Sequence, residues 1–168
     1  MIKLKKISIL DENMKECIAL SVLSEQNNFV ASNAISLAQA YDDNKAFDET
    51  GEGDRAVPYA VYENGIMVGF AMYGYFTPED DEDAYSKDEY CYYFWRLLVD
   101  KNHQGRGLGR EIVRQVMDKI KLKPLGEASY CYVSYESANI ASKKTFASYG
   151  FEEDGRIIDG EVVARYKL

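Results

Sequence analysis

His103-Gln104-Gly105-Arg106-Gly107-Leu108-Gly109-Arg110 joins a short apolar run, Leu97-Leu98-Val99, to a segment in which Leu108, Ile112, Val113, Val116 and Ile120 recur at helical spacing. Glycines at the entrance of a helix let the backbone turn tightly and bring bare N–H groups against a ligand, and the helix adds its partial positive end. The stretch therefore suits an anion. It is not the dinucleotide fingerprint GxGxxG, because the third glycine comes too early, and it lacks the Gly-Lys-Ser/Thr of a phosphate loop. The plain alternative is a glycine-rich turn from strand to helix.

On the upstream side, Tyr90 to Val99 is rich in aromatic and β-branched residues and reads as a long strand. Before it lies the most acidic segment, residues 77 to 89, read as an exposed loop. Earlier still, Tyr59-Ala60-Val61-Tyr62 and Ile66 to Tyr75 form two strands turned at Asn64-Gly65, the pair most favoured in a tight hairpin. Ile2, Leu4, Ile7 and Ile9 fit a first strand, and Asp11 offers an N-cap for a helix through Cys17, Leu20 and Leu23. A second helix shows Ala34, Leu37, Ala38 and Tyr41 on one apolar face, is capped by Ser32 or Asn33, and ends at Asp42-Asp43. Downstream of the glycines come a strand over Ala128 to Ser134, a helix from Ala138 to Tyr149 stopped by Gly150, and a hairpin turned at Asp159-Gly160.

With 168 residues, near-average composition, no internal repeat and no linker, the expectation is a single domain over residues 1–168. A net charge of -8 speaks against nucleic acid and anionic membrane partners and favours a cationic one. Three scattered cysteines and one histidine give no disulfide framework and no metal site. The first ten residues alternate instead of forming a signal peptide, and no apolar stretch spans a bilayer, so the expected location is the cytoplasm.

Read as Gln-x-x-Gly-x-Gly after a strand, Gln104 to Gly109 resembles the acetyl-CoA pyrophosphate loop of the GNAT superfamily of N-acetyltransferases. Asn139, Ser142, Phe146 and Gly150-Phe151 match that superfamily's second pattern at the expected distance, and the order of elements agrees along the chain. Singly, Asn139 reads as a plain cap and Gly150 as a plain helix stop. Val68-Gly69-Phe70-Ala71-Met72-Tyr73-Gly74, the stretch Gln26 to Ala40 and the closing hairpin are similar to bacterial spermine/spermidine acetyltransferases. The resemblance implies an α+β fold, a mixed, mostly antiparallel sheet of about seven strands flanked by about four helices. It also implies a splay between the Tyr90–Val99 and Ala128–Ser134 strands.

It further implies an enzyme that moves an acetyl group from acetyl-CoA to a primary amine of a small, polycationic acceptor such as a polyamine, by direct attack and without a metal. The alternatives are another amine (aminoglycoside, amino acid or peptide N-terminus), or a module of the same fold that holds acyl-CoA without useful turnover. A homodimer is allowed. By the resemblance, Gln104, Gly105, Arg106, Gly107, Leu108, Gly109 and Arg110 cradle the pyrophosphate, with Arg106 or Arg110 adding charge, and Asn139 and Ser142 also contact the cofactor. Leu98 and Val99 pair with pantetheine, and the amide of Leu98 is left to meet the oxyanion.

The proton route departs from the family. The tyrosine that serves as general acid is replaced by Phe146, and a glutamate that serves as base in some members by Trp95. Tyr135, just past a strand end where acceptor and cofactor meet, is the candidate acid, or else a wall residue. Tyr149 reads better as core packing, Glu89 as part of the acidic loop, and His103 as structural or in contact with the cofactor. Glu79 to Asp83, with Asp42, Asp43, Asp48 and Glu49, reads as an acceptor funnel or as a solubilising surface.

Overall fold

Two hairpins and one long helix set the frame. The computed structural model describes every residue except Ile9, Asp11, Asp80, Glu82 and Asp83, so the expected helix cap at Asp11, the end of the first strand at Ile9 and most of the acidic run lie outside the described residues. The strands are β1 (Ile2–Lys6), β2 (Arg55–Glu63), β3 (Ile66–Phe76), β4 (Cys91–Val99), β5 (Tyr130–Glu136), β6 (Glu152–Ile158) and β7 (Glu161–Lys167). The helices are α1 (Asn13–Ala19), α2 (Asn33–Thr50), α3 (Leu108–Ile120) and α4 (Ile140–Ala147). The strands form one sheet in the order β1-β2-β3-β4-β5-β7-β6, antiparallel except where β4 meets β5.

Both hairpin turns follow from their residues. Asn64 and Gly65 have φ of 52° and 86°, and Asp159 and Gly160 have 51° and 83°, the two consecutive left-handed positions that a tight turn matched to strand twist demands. Helix α3 buries Leu108, Ile112, Val113, Val116, Met117 and Ile120 against one face of the sheet, the stripe its spacing foretold. Each such side chain stabilises the fold by about 1.5–3 kcal/mol through lost apolar exposure. The other face is covered by α1 and α2 around Cys17, Ala40, Phe70, Met72 and Leu98.

The first two helices differ from expectation. Helix α1 stops at Ala19, short of Leu20 and Leu23, because the chain is drawn out to bond elsewhere: the Ser21 amide donates to Asp100 Oδ2 at 3.1 Å and the Ser21 carbonyl accepts from the Lys101 amide at 2.8 Å. Helix α2 runs past Asp42-Asp43 to Thr50, where Gly51 closes it in the left-handed conformation. Its buried positions are Asn33, Ser36 and Ala40; of the expected face Leu37 packs against the core, whereas Ala34 and Ala38 are exposed and Tyr41 stands 65% exposed. Short polar residues hold this helix down: Asn33 Nδ2 donates to the Cys17 carbonyl at 2.8 Å, and Asn44 exchanges two hydrogen bonds with the Ala56 backbone.

The centre of the sheet forks. Strands β4 and β5 are paired only at Tyr92–Cys131 and Tyr93–Tyr132, and beyond those rungs they part. On its other edge β4 carries a bulge, since Phe94 faces Tyr73 and Arg96 faces Met72, leaving Trp95 as the extra residue. The bulge breaks alternation, so that Trp95 and Arg96 both turn toward α1 and α2.

Candidate active site

The fork opens into a cavity of about 710 Å³. Its floor is β4 from Tyr93 to Leu97 and Val99, with Val133, Ser134 and Tyr135 of β5. One end is closed by the glycine loop and the first turns of α3 and α4, the other by residues 26 to 31 and by Glu161.

At the first end Gly105 and Gly107 hold φ of 75° and 78°, and a Cβ on either would stand in open space at the cavity rim. No side chain caps α3, so the amides of its first turn have neither a side-chain partner nor an intrahelical one. At Gly109 α3 faces α4, and a Cβ there would make an ordinary contact with Thr145 Cγ2 at 3.6 Å. Gln104 is committed inward, its Nε2 donating to the Val99 carbonyl at 3.0 Å and to Gln26 Oε1 at 2.8 Å. It ties the loop to the strand end and to the segment after α1. Asp100 anchors the same corner. Burial pushes its carboxyl up, but the amides of Asn102 and Ser21 outweigh this and hold it below the ordinary carboxylate range. The two arginines separate: Arg110 lines the cavity, whereas Arg106 is off its wall and paired with Glu63 at 2.6 Å. Asn139 and Ser142 are on the wall, and the Asn139 side chain accepts from the Ser142 amide at 3.1 Å, capping α4. A phosphate-bearing group fits this end, where amides, a helix terminus and Arg110 converge and Gly105 and Gly107 leave room beside them.

The register corrects the expected free amide. The Asp100 amide donates to the Val68 carbonyl at 2.9 Å, and alternate amides of an extended strand face the same way, so the Leu98 amide is also turned to β3. The Leu98 carbonyl lies on that side too, 2.5 Å from where a Cβ on Gly69 would be, which only glycine tolerates. Leu98 is a core residue, and it is the amides of Leu97 and Val99 that face the fork.

Tyr135 is on the wall, but its hydroxyl is turned to β6, where it donates to Glu153 Oε1 at 3.1 Å, and Glu153 is paired with Lys143 at 2.9 Å. Burial together with Glu153 pushes the Tyr135 phenol up to about 12. Phe146 lines the cavity with its ring stacked on Tyr135 and edge-on to Phe94 and Phe151. Tyr149 packs away from the cavity with Phe151, Tyr166 and Lys121, and Glu89 accepts from Ser129 on the outer surface. His103 is on the wall, its Nδ1 3.5 Å from Arg106.

Of the acidic residues considered as a funnel, none of the described ones lines the cavity. Among the described residues the carboxylate on the wall is Glu161, the first residue of β7, which the sequence reading missed. The signal was the Asp159-Gly160 turn, which sets the next residue at the mouth of the fork. Glu161 accepts from Ser134 Oγ, and Tyr93 and Tyr85 continue that row of hydroxyls. Trp95, Phe29 and Arg96 complete this end. The Arg96 guanidinium is held by neutral oxygens of Ser36, Gln39 and the Trp95 carbonyl.

All three cysteines are buried. Burial pushes the thiols of Cys17 and Cys91 up to about 12 and that of Cys131 well above the ordinary value, and none lines the cavity. Among the described residues no cluster of His, Cys, Asp and Glu is arranged to hold a metal, and no helix is long and apolar enough to cross a membrane.

The family model described as "Acetyltransferase (GNAT) family" matches residues 23–151. A probable spermine N(1)-acetyltransferase of Bacillus subtilis subsp. natto (strain BEST195) is 29% identical over 157 residues, 93% of each chain. A spermine/spermidine N(1)-acetyltransferase of Bacillus subtilis (strain 168) is 28% identical over the same length and share. Among solved structures, aminoglycoside acetyltransferase AAC(6')-Ib in complex with coenzyme A matches with a TM-score of 0.71 over 99% of this chain and 95% of that one. At 15% identity that likeness speaks for the fold.

Proposed function

This chain belongs to the acetyltransferase (GNAT) family and is an acetyl-CoA-dependent N-acetyltransferase, and from that premise we propose that it acetylates a primary amine of a small polycationic acceptor, a polyamine of the spermidine class, by direct attack in a ternary complex. One observation carries the reading. The fork presents the Leu97 and Val99 amides inside a single cavity that has an anion cradle at one end and a carboxylate with aromatic rings at the other.

Acetyl-CoA supplies an acetyl thioester. The residues that would hold it are the amides from Gln104 to Arg110 with the Arg110 side chain for the phosphates, Asn139 and Ser142 beside α4, and the Val99 amide for the pantetheine arm. The Leu97 amide would be the donor to the thioester carbonyl oxygen, since donors fixed in advance act most strongly on growing negative charge. No cysteine reaches the cavity to take the acetyl group, which supports direct attack by the acceptor.

The polyamine preference rests on the names of the two Bacillus relatives, on the ring of Phe29 on the cavity wall, whose face suits an ammonium group, and on the net charge of -8. Arg96, on the wall beside them, favours a second reading, an amine that also carries an acid group. Release of CoA thiol over a panel of polyamines, an aminoglycoside, an amino acid and a peptide tests both. Polyamines are expected to react fastest, faster turnover of the amino acid selects the second reading, and silence with every amine leaves a module that only binds acyl-CoA. If charge draws the acceptor in, kcat/KM for spermidine falls several-fold from low to high ionic strength, because salt screens such attraction within about 10 Å at 0.1 M. A flat response removes the steering.

A further inference from the structure

A row of hydrogen-bonded hydroxyls crosses the fork on the face away from α3 and ends on a carboxylate. Tyr85 Oη donates to Tyr93 Oη at 3.0 Å, the Tyr93 and Ser134 oxygens are 2.6 Å apart, and Ser134 Oγ donates to Glu161 Oε2. Ser134 has one proton, and it is committed to Glu161, so Tyr93 must be the donor to Ser134. Every proton in the row thus points toward Glu161. Tyr85 Oη also stands 3.2 Å from Ser134 Oγ, so its single proton serves either Tyr93 or Ser134, and when it goes to Tyr93 the second lone pair of Ser134 can accept from a donor in the cavity. The row joins three elements, β4, β5 and β7, where their pairing ends.

We propose that Ser134 and Glu161 form the proton sink of the reaction, taking the proton from the ammonium form of the acceptor before it attacks. This rests on the reading of the acceptor as a small amine that is charged in solution. The transfer balances. An N–H bond breaks and an O–H bond forms at Ser134, while the former Ser134 O–H breaks and a new one forms at Glu161 Oε2. The amine is left neutral with its lone pair free, and the carboxylic acid returns the proton to solvent through the open mouth of the fork. Tyr85 and Tyr93 are positioning residues that keep the Ser134 proton aimed at Glu161. Burial, with Tyr85 alongside, pushes the Tyr93 phenol well above its ordinary value, so it remains a donor. The charged and titratable groups facing Glu161 are Tyr85, Tyr93 and Arg96, with Glu136 directly across on β5. The arrangement also answers the loss of a base at Trp95, for the carboxylate comes from β7, on the opposite side of the fork.

The test compares the wild type with Glu161→Gln and Ser134→Ala, using spermidine and, as an amine already neutral near pH 7, trifluoroethylamine. A positioned base contributes about 10²- to 10⁴-fold, and Glu161→Gln is expected to lose that much kcat/KM for spermidine at neutral pH. The shape of the pH profile separates this role from a structural one. Wild-type kcat/KM levels off well below the amine's own pKa, whereas the variant waits for free amine and rises about tenfold per pH unit up to it. Ser134→Ala shows the same change of shape with a smaller loss. With trifluoroethylamine the losses in both variants shrink, because only the proton released after attack is left to take, and the Kd of spermidine for the CoA complex, read by calorimetry, moves little. Parallel pH profiles for wild type and Glu161→Gln overturn the proposal. So does a loss confined to the spermidine Kd, which makes Glu161 an ammonium anchor. Failure of the acceptor reading shows differently, as a wild type that acetylates trifluoroethylamine and no charged amine, and that result overturns the proton sink as well.

Discussion

Gly107→Val weakens CoA binding by about 100-fold, on the strength of two effects at one residue. Gly107 has φ 78°, a conformation that costs a β-branched residue about 1–3 kcal/mol. The new side chain also stands on the rim where the amides of α3 open, and each hydrogen bond to a charged group lost there is worth about 1.5–3 kcal/mol. The lost hydrogen bonds by themselves approach the roughly 2.7 kcal/mol that a hundredfold change in Kd represents, and the strain adds to it by drawing the free loop away from the binding conformation. Nothing lies within 4 Å of the added Cβ, so the core is untouched and the fold survives with a lower Tm. Calorimetric titration with CoA and a thermal melt check the two halves separately. An unchanged Kd would move the phosphate site away from the loop.

Phe146→Tyr raises kcat, by about tenfold at least, with little change in the Kd for acetyl-CoA. The ring lines the cavity from α4, at the position to which the family resemblance assigns the acid, and a phenol there gives the leaving thiolate a proton donor. The gain is set below the full value of a general acid because a thiolate leaves tolerably without one. Tyr135 is the rival donor, but its proton is engaged by the Glu153 carboxylate, so Tyr135→Phe costs chiefly a partly buried hydrogen bond to a charged group, about 1.5–3 kcal/mol of stability. No gain in Phe146→Tyr, together with a large loss of kcat in Tyr135→Phe, would return the acid to Tyr135.

Local chemistry was legible where residues answer to their neighbours in sequence. The Asn64-Gly65 and Asp159-Gly160 turns, the α3 stripe and the glycine loop each depend on a few adjacent residues, and each lies where the sequence reading put it. What depended on distant partners was not legible. Helix α1 ends early because Ser21 bonds to Asp100 and Lys101, and α2 turns its polar Asn33 and Ser36 inward, where Asn33 donates to the Cys17 carbonyl and Ser36 accepts from Arg96. The free amide moved from Leu98 to its two neighbours because strand parity is set by pairing with Val68 and Phe70, and the bulge at Trp95 shifts that parity without any glycine or proline to mark it. Glu161 was overlooked for a related reason. In sequence it is one acid after a turn, and only the fork brings it opposite β4.

The burial of the three thiols reaches into how such an enzyme is assayed. A reagent that captures free thiolate reads the CoA product directly, and a folded protein whose own sulfurs are enclosed and held protonated adds no background to that signal. Once the chain opens, three more sulfurs per molecule become reactive, so a rising baseline in the absence of amine counts unfolded enzyme in the same cuvette that counts turnover.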